Sequence, residues 1–138
     1  MLLKKLLVPR IAISRRYGHY GARKARKLTV TVKEFADKSN FEIVCIPSPD
    51  KSIDGAYVGD LLSWVMGRAE PGNVWITIMS NINIVAVASL SDVSCILLAE
   101  DVSPDDNALT TANEKGINIL KTSLSSYEAA VKVSKIIV

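Results

Sequence analysis

The sequence predicts an α/β fold: a three-layer sandwich with a four-stranded, mainly parallel sheet covered by helices on both faces. Three observations predict it. Short apolar runs rich in β-formers recur at 41–46, 74–79, 94–99 and 117–120. Segments with helical spacing or helix-end signals stand between them. The runs are almost continuously apolar, as strands buried on both faces must be.

The first helix follows from Thr31-Val32-Lys33-Glu34, a capping box with Thr31 at the N-cap and Glu34 three residues on. It is predicted to run to about Ser39. Phe41 to Ile46 then reads as a buried strand, ended by Pro47 and Pro49. Asp50 to Gly55 reads as a loop. Val58, Leu61, Leu62, Val65, Met66 and Ala69 share one helical face. Pro71-Gly72 terminates that helix.

Val74 to Met79 is the second strand. The polar turn Ser80-Asn81-Ile82-Asn83 can cap a helix from about Ile84 to Leu90. That apolar stretch also suits a strand; helix is preferred because strands flank it and a crossover is needed. Ser94 to Ala99 is the third strand. Ser103 is a suitable N-cap, Pro104 suits N1, and Asp105 and Asp106 favour the positive end of the helix dipole. Gly116 is an apt residue to end that helix. Ile117 to Leu120 is the fourth strand, and Ser123 to Ser126 can cap a last helix. That helix is apolar on most of its surface, at Tyr127, Ala130, Val131, Val133, Ile136, Ile137 and Val138. Such a helix in so small a domain suggests a partner subunit.

The chain has 138 residues and 49% hydrophobic character, which fits one folded domain. Its charge is uneven. Residues 1–28 hold nine basic residues and no acid, whereas 29–138 hold eight basic residues against 14 acids, a net of −6. Two domains of behaviour follow: a basic arm over 1–28 and a folded part over 29–138. The arm suits a nucleic-acid contact or a transit peptide. It also suits a segment that is disordered or not native. Arg23-Lys24-Ala25-Arg26-Lys27 can be encoded by purine-rich codons like those of a bacterial ribosome-binding site, with Leu28 or Val30 as the start. The acidic body argues against nucleic acid as a partner. No apolar run of membrane-spanning length occurs, so no membrane partner and a cytoplasmic location are expected.

Catalysis finds few tools. The one histidine is His19, in the arm, so the domain has no Ser-His or Cys-His pair. Cys45 and Cys95 lie inside predicted strands and read as inert thiols. Gly67 and Gly72 have the spacing of half a P-loop, but Asn73 stands where its Lys is needed. No zinc module, metal site, cofactor or enzyme activity is expected. Trp64 and Trp75 read as packing or subunit-contact residues.

In an open parallel sheet, ligands sit beyond the carboxyl ends of the strands. That rule selects Ser80, Asn81 and Asn83 after the second strand. It also selects Glu100 and Asp101 after the third. These, with Gly59 and Asp60, are the candidate ligand-binding residues.

Three stretches, Gly59-Asp60-Leu61-Leu62-Ser63, Gly72 to Ile78 and Asn83 to Ala88, together resemble the DRTGG domain family. Ile96-Leu97-Leu98, Ser103-Pro104-Asp105 and Glu114 to Leu120 are similar to its second half. The resemblance implies the fold of the N-terminal domain of HPr serine kinase without its catalytic domain. It implies a homodimer, since the same module helps form a dimer when fused to CBS domains in a regulated pyrophosphatase. It further implies a redox or hydrogenase-related protein partner, because stand-alone members are often encoded beside such proteins in anaerobic bacteria. The family tends to carry Thr-Gly-Gly where this chain has Ala99-Glu100-Asp101, and exchanging glycines for acids removes a phosphate-binding option.

The expected function is a non-catalytic regulatory or assembly module, a homodimer that recognises a partner protein or small molecule. The alternative is an adenine-nucleotide sensor that binds at the strand ends.

Overall fold

A computed structural model describes residues 29–137; the basic arm and His19 lie outside the described residues. The elements are β1 (Val30–Thr31), α1 (Val32–Ser39), β2 (Glu42–Cys45), β3 (Ser52–Ile53), β4 (Gly55–Val58), α2 (Leu62–Arg68), β5 (Asn73–Thr77), α3 (Asn83–Ser91), β6 (Cys95–Leu98), α4 (Asp106–Lys115), β7 (Ile119–Lys121) and α5 (Ser126–Ile136). The main sheet has five strands in the order β2-β7-β6-β5-β4, and β1 and β3 form a small separate pair.

Strands β4 to β7 are parallel and adjacent in chain order. Each step to the next strand therefore goes the same way, and α2, α3 and α4 share one face. Trp75, Ile96 and Ile119 stand in register on that face and meet Val65, Ile84, Val85, Ala88, Ala108 and Ala112. The other face carries Ile76, Leu97 and Leu120 in register. It is covered by α1 (Val32, Phe35, Ala36), by α5 (Ala129, Val133) and by Ile53 of β3. The α/β class, the mainly parallel sheet and the cover on both faces are as expected.

Four details differ from the sequence reading. The sheet has five strands rather than four, because Ala56, Tyr57 and Val58 pair in register with Val74, Trp75 and Ile76. That pairing uses Val58, so α2 begins only at Leu62, and the expected loop also contains β3. Second, β2 runs antiparallel to β7, with Ile43 opposite Leu120 and an irregularity between Ile43 and Cys45. A crossover helix forces parallel pairing only between strands that it joins; β2 and β7 are remote in sequence and escape that constraint. The strand is also an edge, with Glu42 and Ile43 exposed. Pro47 to Asp50 consequently sit at the opposite end of the sheet from the other strand-end loops. Third, α4 is capped by Asp105, whose carboxylate accepts from Ala108 N at 3.0 Å, rather than by Ser103. Asp105 N donates to Ser80 O at 3.1 Å, which fixes the cap two residues later. Fourth, α5 buries one side only: Ala129 and Val133 are covered, while Tyr127 is 77% exposed.

The helix expected after the polar turn starts at N-cap Ile82, which makes no side-chain cap bond. The predicted reciprocal box of Thr31 with Glu34 forms, and the last helix, expected to be capped within 123–126, carries a second box that was not predicted, Ser125 with Glu128. Gly116 ends α4 with φ +73°, and its carbonyl accepts from Ser48 Oγ at 2.8 Å. Among the described residues no helix is long and apolar enough to cross a membrane.

The loop after β2 is held by buried Asn118. Its Oδ1 accepts from Ser48 N at 2.9 Å, and its Nδ2 donates to Ser48 O at 2.7 Å and to Ser94 O at 2.9 Å. Removing a side chain that satisfies three backbone groups leaves them unpaired, at a cost of about 2–3 kcal/mol. Asn118→Ala is expected to lower the urea midpoint accordingly at an unchanged m value, and Ser48→Ala to lower the unfolding free energy by about 1 kcal/mol.

Candidate functional site

The carboxyl ends of β4, β5, β6 and β7 meet along one edge of the sheet, since these strands are parallel and in register. Gly59, Asp60, Ser80, Asn81, Glu100 and Asp101 lie in the loops leaving that edge, and Asn83 is the first residue of α3.

Gly59 continues the ladder past Val58. Its N–H donates to Ile76 O at 3.1 Å, and its carbonyl accepts from the indole N–H of buried Trp75 at 2.9 Å. Asp60 is turned across the end of β5. Its Oδ1 accepts from the Thr77 hydroxyl at 2.8 Å and from Ile78 N at 2.9 Å. Thr77 is fully buried, so this carboxylate gives its hydroxyl a partner away from water. Ser80 and Asn81 serve the turn into α3 and the cap of α4. Ser80 O accepts from Asp105 N, and Asn81 Oδ1 accepts from Asn83 N at 2.9 Å.

Between β6 and β7 the connections leave for opposite faces, α4 to one and α5 to the other. Such a point is where an open α/β sheet forms its crevice. Here the crevice is laced shut. Thr122 N donates to Leu98 O, Asp101 N to Thr122 O and Glu100 N to Leu124 O, all at 2.8 to 2.9 Å. To turn while keeping these bonds, Glu100 and Asp101 both adopt the left-handed conformation, with φ +59° and +60°. Each such residue carries strain unless it is glycine, less for Asp than for Glu. Lys121 reinforces the closure by donating to Ser103 Oγ at 2.7 Å and pairing with Asp101 at 3.3 Å. The Glu100 and Asp101 side chains themselves face solvent.

The edge thus brings the selected residues together, but their hydrogen-bonding groups serve mostly one another. Both thiols lie away from it. Burial pushes the Cys45 thiol up and Cys95, fully buried in β6, to about 12. Among the described residues no group of three or more Cys, His, Asp or Glu side chains is placed to hold a metal.

The sequence reading missed the surface beside this edge. It placed Val58, Leu61 and Met66 on one apolar helical face, yet Leu61 is 59% exposed and Met66 48%. Trp64, in the same helix, is 53% exposed, with the Arg68 guanidinium 3.8 Å over its ring. Only Val65 of α2 is fully buried. The signal was present: with Trp64 included, the apolar residues of 58–69 spread well beyond one stripe.

A family model described as the DRTGG domain matches residues 56–136. In fold the chain is similar to the crystal structure of the CBS and DRTGG domains from the regulatory region of Clostridium perfringens pyrophosphatase, complexed with its activator diadenosine tetraphosphate. The TM-score is 0.62 at 17% identity, over 75% of this chain and 45% of that one. This chain therefore spans less than half the length of that structure. A search of curated proteins finds no match.

Two outcomes follow from this geometry. Glu100→Gly removes left-handed strain and is expected to stabilise the fold by about 1 kcal/mol, read as a rise of several degrees in Tm. The Cys95 thiol stays neutral in the fold while the unfolded chain ionises, so the unfolded chain holds fewer protons above the ordinary value of 9.0. Stability is therefore expected to fall as pH rises from 9.0 towards about 12. Urea midpoints across that range should flatten in Cys95→Ala.

Proposed function

Because the chain belongs to the DRTGG domain family, we propose that it is a non-catalytic regulatory or assembly module that works as a homodimer and acts through its surface. One observation carries the reading. Polar groups at the strand-end edge are turned inward onto one another, while apolar side chains of the adjacent helix α2 are turned outward. A site for chemistry needs the reverse: unsatisfied polar groups aimed at a ligand in an apolar surround. Catalysis has no support in the described residues, where both thiols are buried and inert. A redox or hydrogenase-related protein as the regulated partner rests on family likeness alone.

A second reading, an adenine-nucleotide sensor, is supported by the solved neighbour, which was captured with diadenosine tetraphosphate. That structure includes CBS domains, and Glu100 and Asp101 would place acids against a phosphate here.

Thermal unfolding of the full chain with diadenosine tetraphosphate, AMP, ADP and ATP separates the two. The expected outcome is no rise in Tm with any of them. A ligand at 100 times its Kd adds about 2.7 kcal/mol, so a rise of several degrees would favour the sensor. Sedimentation velocity is expected to show a dimer.

A further inference from the structure

We propose that the free edge of β4, with the flank of α2 above it, docks an extended segment of a partner protein. That segment adds a sixth strand and carries an apolar and an acidic residue two positions apart. The proposal rests on the reading that this chain acts through its surface, and names the surface and the partner's chemistry.

The two edges of the main sheet are unlike. At one edge, β2 carries Glu42 and an irregular register, devices that keep a strand from pairing with another chain. At the other, β4 reads Gly55-Ala56-Tyr57-Val58, with no charge and no proline. Its phase in the ladder fixes which backbone groups point out. Val58 stands in register with Ile76, and the bond to Ile76 O comes from Gly59 N at 3.1 Å. Alternate residues of a strand turn their N–H and C=O the same way, so Tyr57 and Gly59 face β5. Ala56 and Val58 face outward, where no described strand pairs with them. Both residues are exposed. Outward groups at alternate positions suit one kind of occupant, an extended backbone.

Helix α2 forms a wall along this edge. Val65 points into the core, and Leu62 and Ala69 pack beside it on the side of α3. Helical geometry puts Leu61, Trp64 and Arg68 on the opposite flank, over β4. Leu61 and Trp64 are more than half exposed. As a crossover helix, α2 runs back along β4, so Leu61 lies towards Val58 and Arg68 towards Gly55.

Charge selects the occupant. The Arg68 guanidinium lies 3.8 Å over the Trp64 ring, and no ion pair sets a carboxylate on it among the described residues. A stacked guanidinium keeps N–H groups at its rim for a carboxylate in its plane. Trp64 and Arg68 are four residues apart, about 6 Å along the helix. Same-side residues of a strand are about 6.8 Å apart. An apolar side chain against Trp64 and Leu61 therefore brings an acid two positions away onto Arg68. A second copy of β4 does not supply that acid: the strand has none, and the flanking Asp54 and Asp60 are already engaged.

The test titrates the isotope-labelled full chain with the capped peptide Thr-Val-Thr-Val-Thr-Glu-Thr and follows amide signals by NMR. Saturation is expected to move the Ala56 and Val58 amide protons downfield and to slow their exchange with water by about tenfold. A peptide with Lys in place of Glu is expected to bind about fivefold more weakly. Arg68→Glu reverses that preference, which a merely structural role of Arg68 would not produce. Val58→Pro deletes one outward N–H, leaves the bonds to Ile76 in place and abolishes binding; if it does not fold, the charge swap decides. No movement at Ala56 and Val58 up to the solubility limit of the peptide, or a preference that Arg68→Glu leaves unchanged, overturns the proposal. So does protection of both amides before peptide is added, which shows the edge already filled by a second copy or by the chain's own residues. The surface-acting reading fails by a different result, a rise in Tm with a nucleotide, so the two failures are distinguishable.

Discussion

The structure depends on one constraint: four strands that are consecutive in the chain are also neighbours in the sheet. Once β4, β5, β6 and β7 pair in that order and in parallel, the helices between them have one face available. Trp75, Ile96 and Ile119 then line up under α2, α3 and α4, and Ile76, Leu97 and Leu120 face the other way. The second layer must come from elsewhere in the chain. It comes from α1 and β3 at one end and α5 at the other, which is why Phe35, Ile53 and Val133 share a core.

Much of this was legible because local signals are strong. The capping box at Thr31 and Glu34, the left-handed Gly116 and the apolar runs of β5 and β6 each act within a few residues. What was illegible depends on distant partners. Nothing local in Phe41 to Ile46 tells a strand which way to run when its neighbour is β7. Nothing local in Ala56 to Val58 separates the end of a strand from the start of a helix, since valine at a helix-spaced position serves both periods. Ser103-Pro104-Asp105 offered two adequate caps, and the bond from Asp105 N to Ser80 O decided between them.

The candidate edge was half legible. The rule for parallel sheets put Asp60, Asn81 and Glu100 at one end of the molecule, where they lie. It could not show that the carboxylate of Asp60 is spent on buried Thr77, or that β6 and β7 remain bonded past their ends. The left-handed turn at Glu100 and Asp101 uses two residues that carry strain there where glycine would not.

The antiparallel β2 has a consequence for how the molecule is made. Ser48 and Asn118, which lock this strand's loop in place, stand 70 positions apart. The four parallel units close through short, sequential contacts, but β2 has no partner until β7 exists. During synthesis the segment that emerges early must therefore wait while the rest is completed, its apolar side uncovered. Contacts of such long range slow folding and prolong exposure, so assembly of this small domain ends where it began.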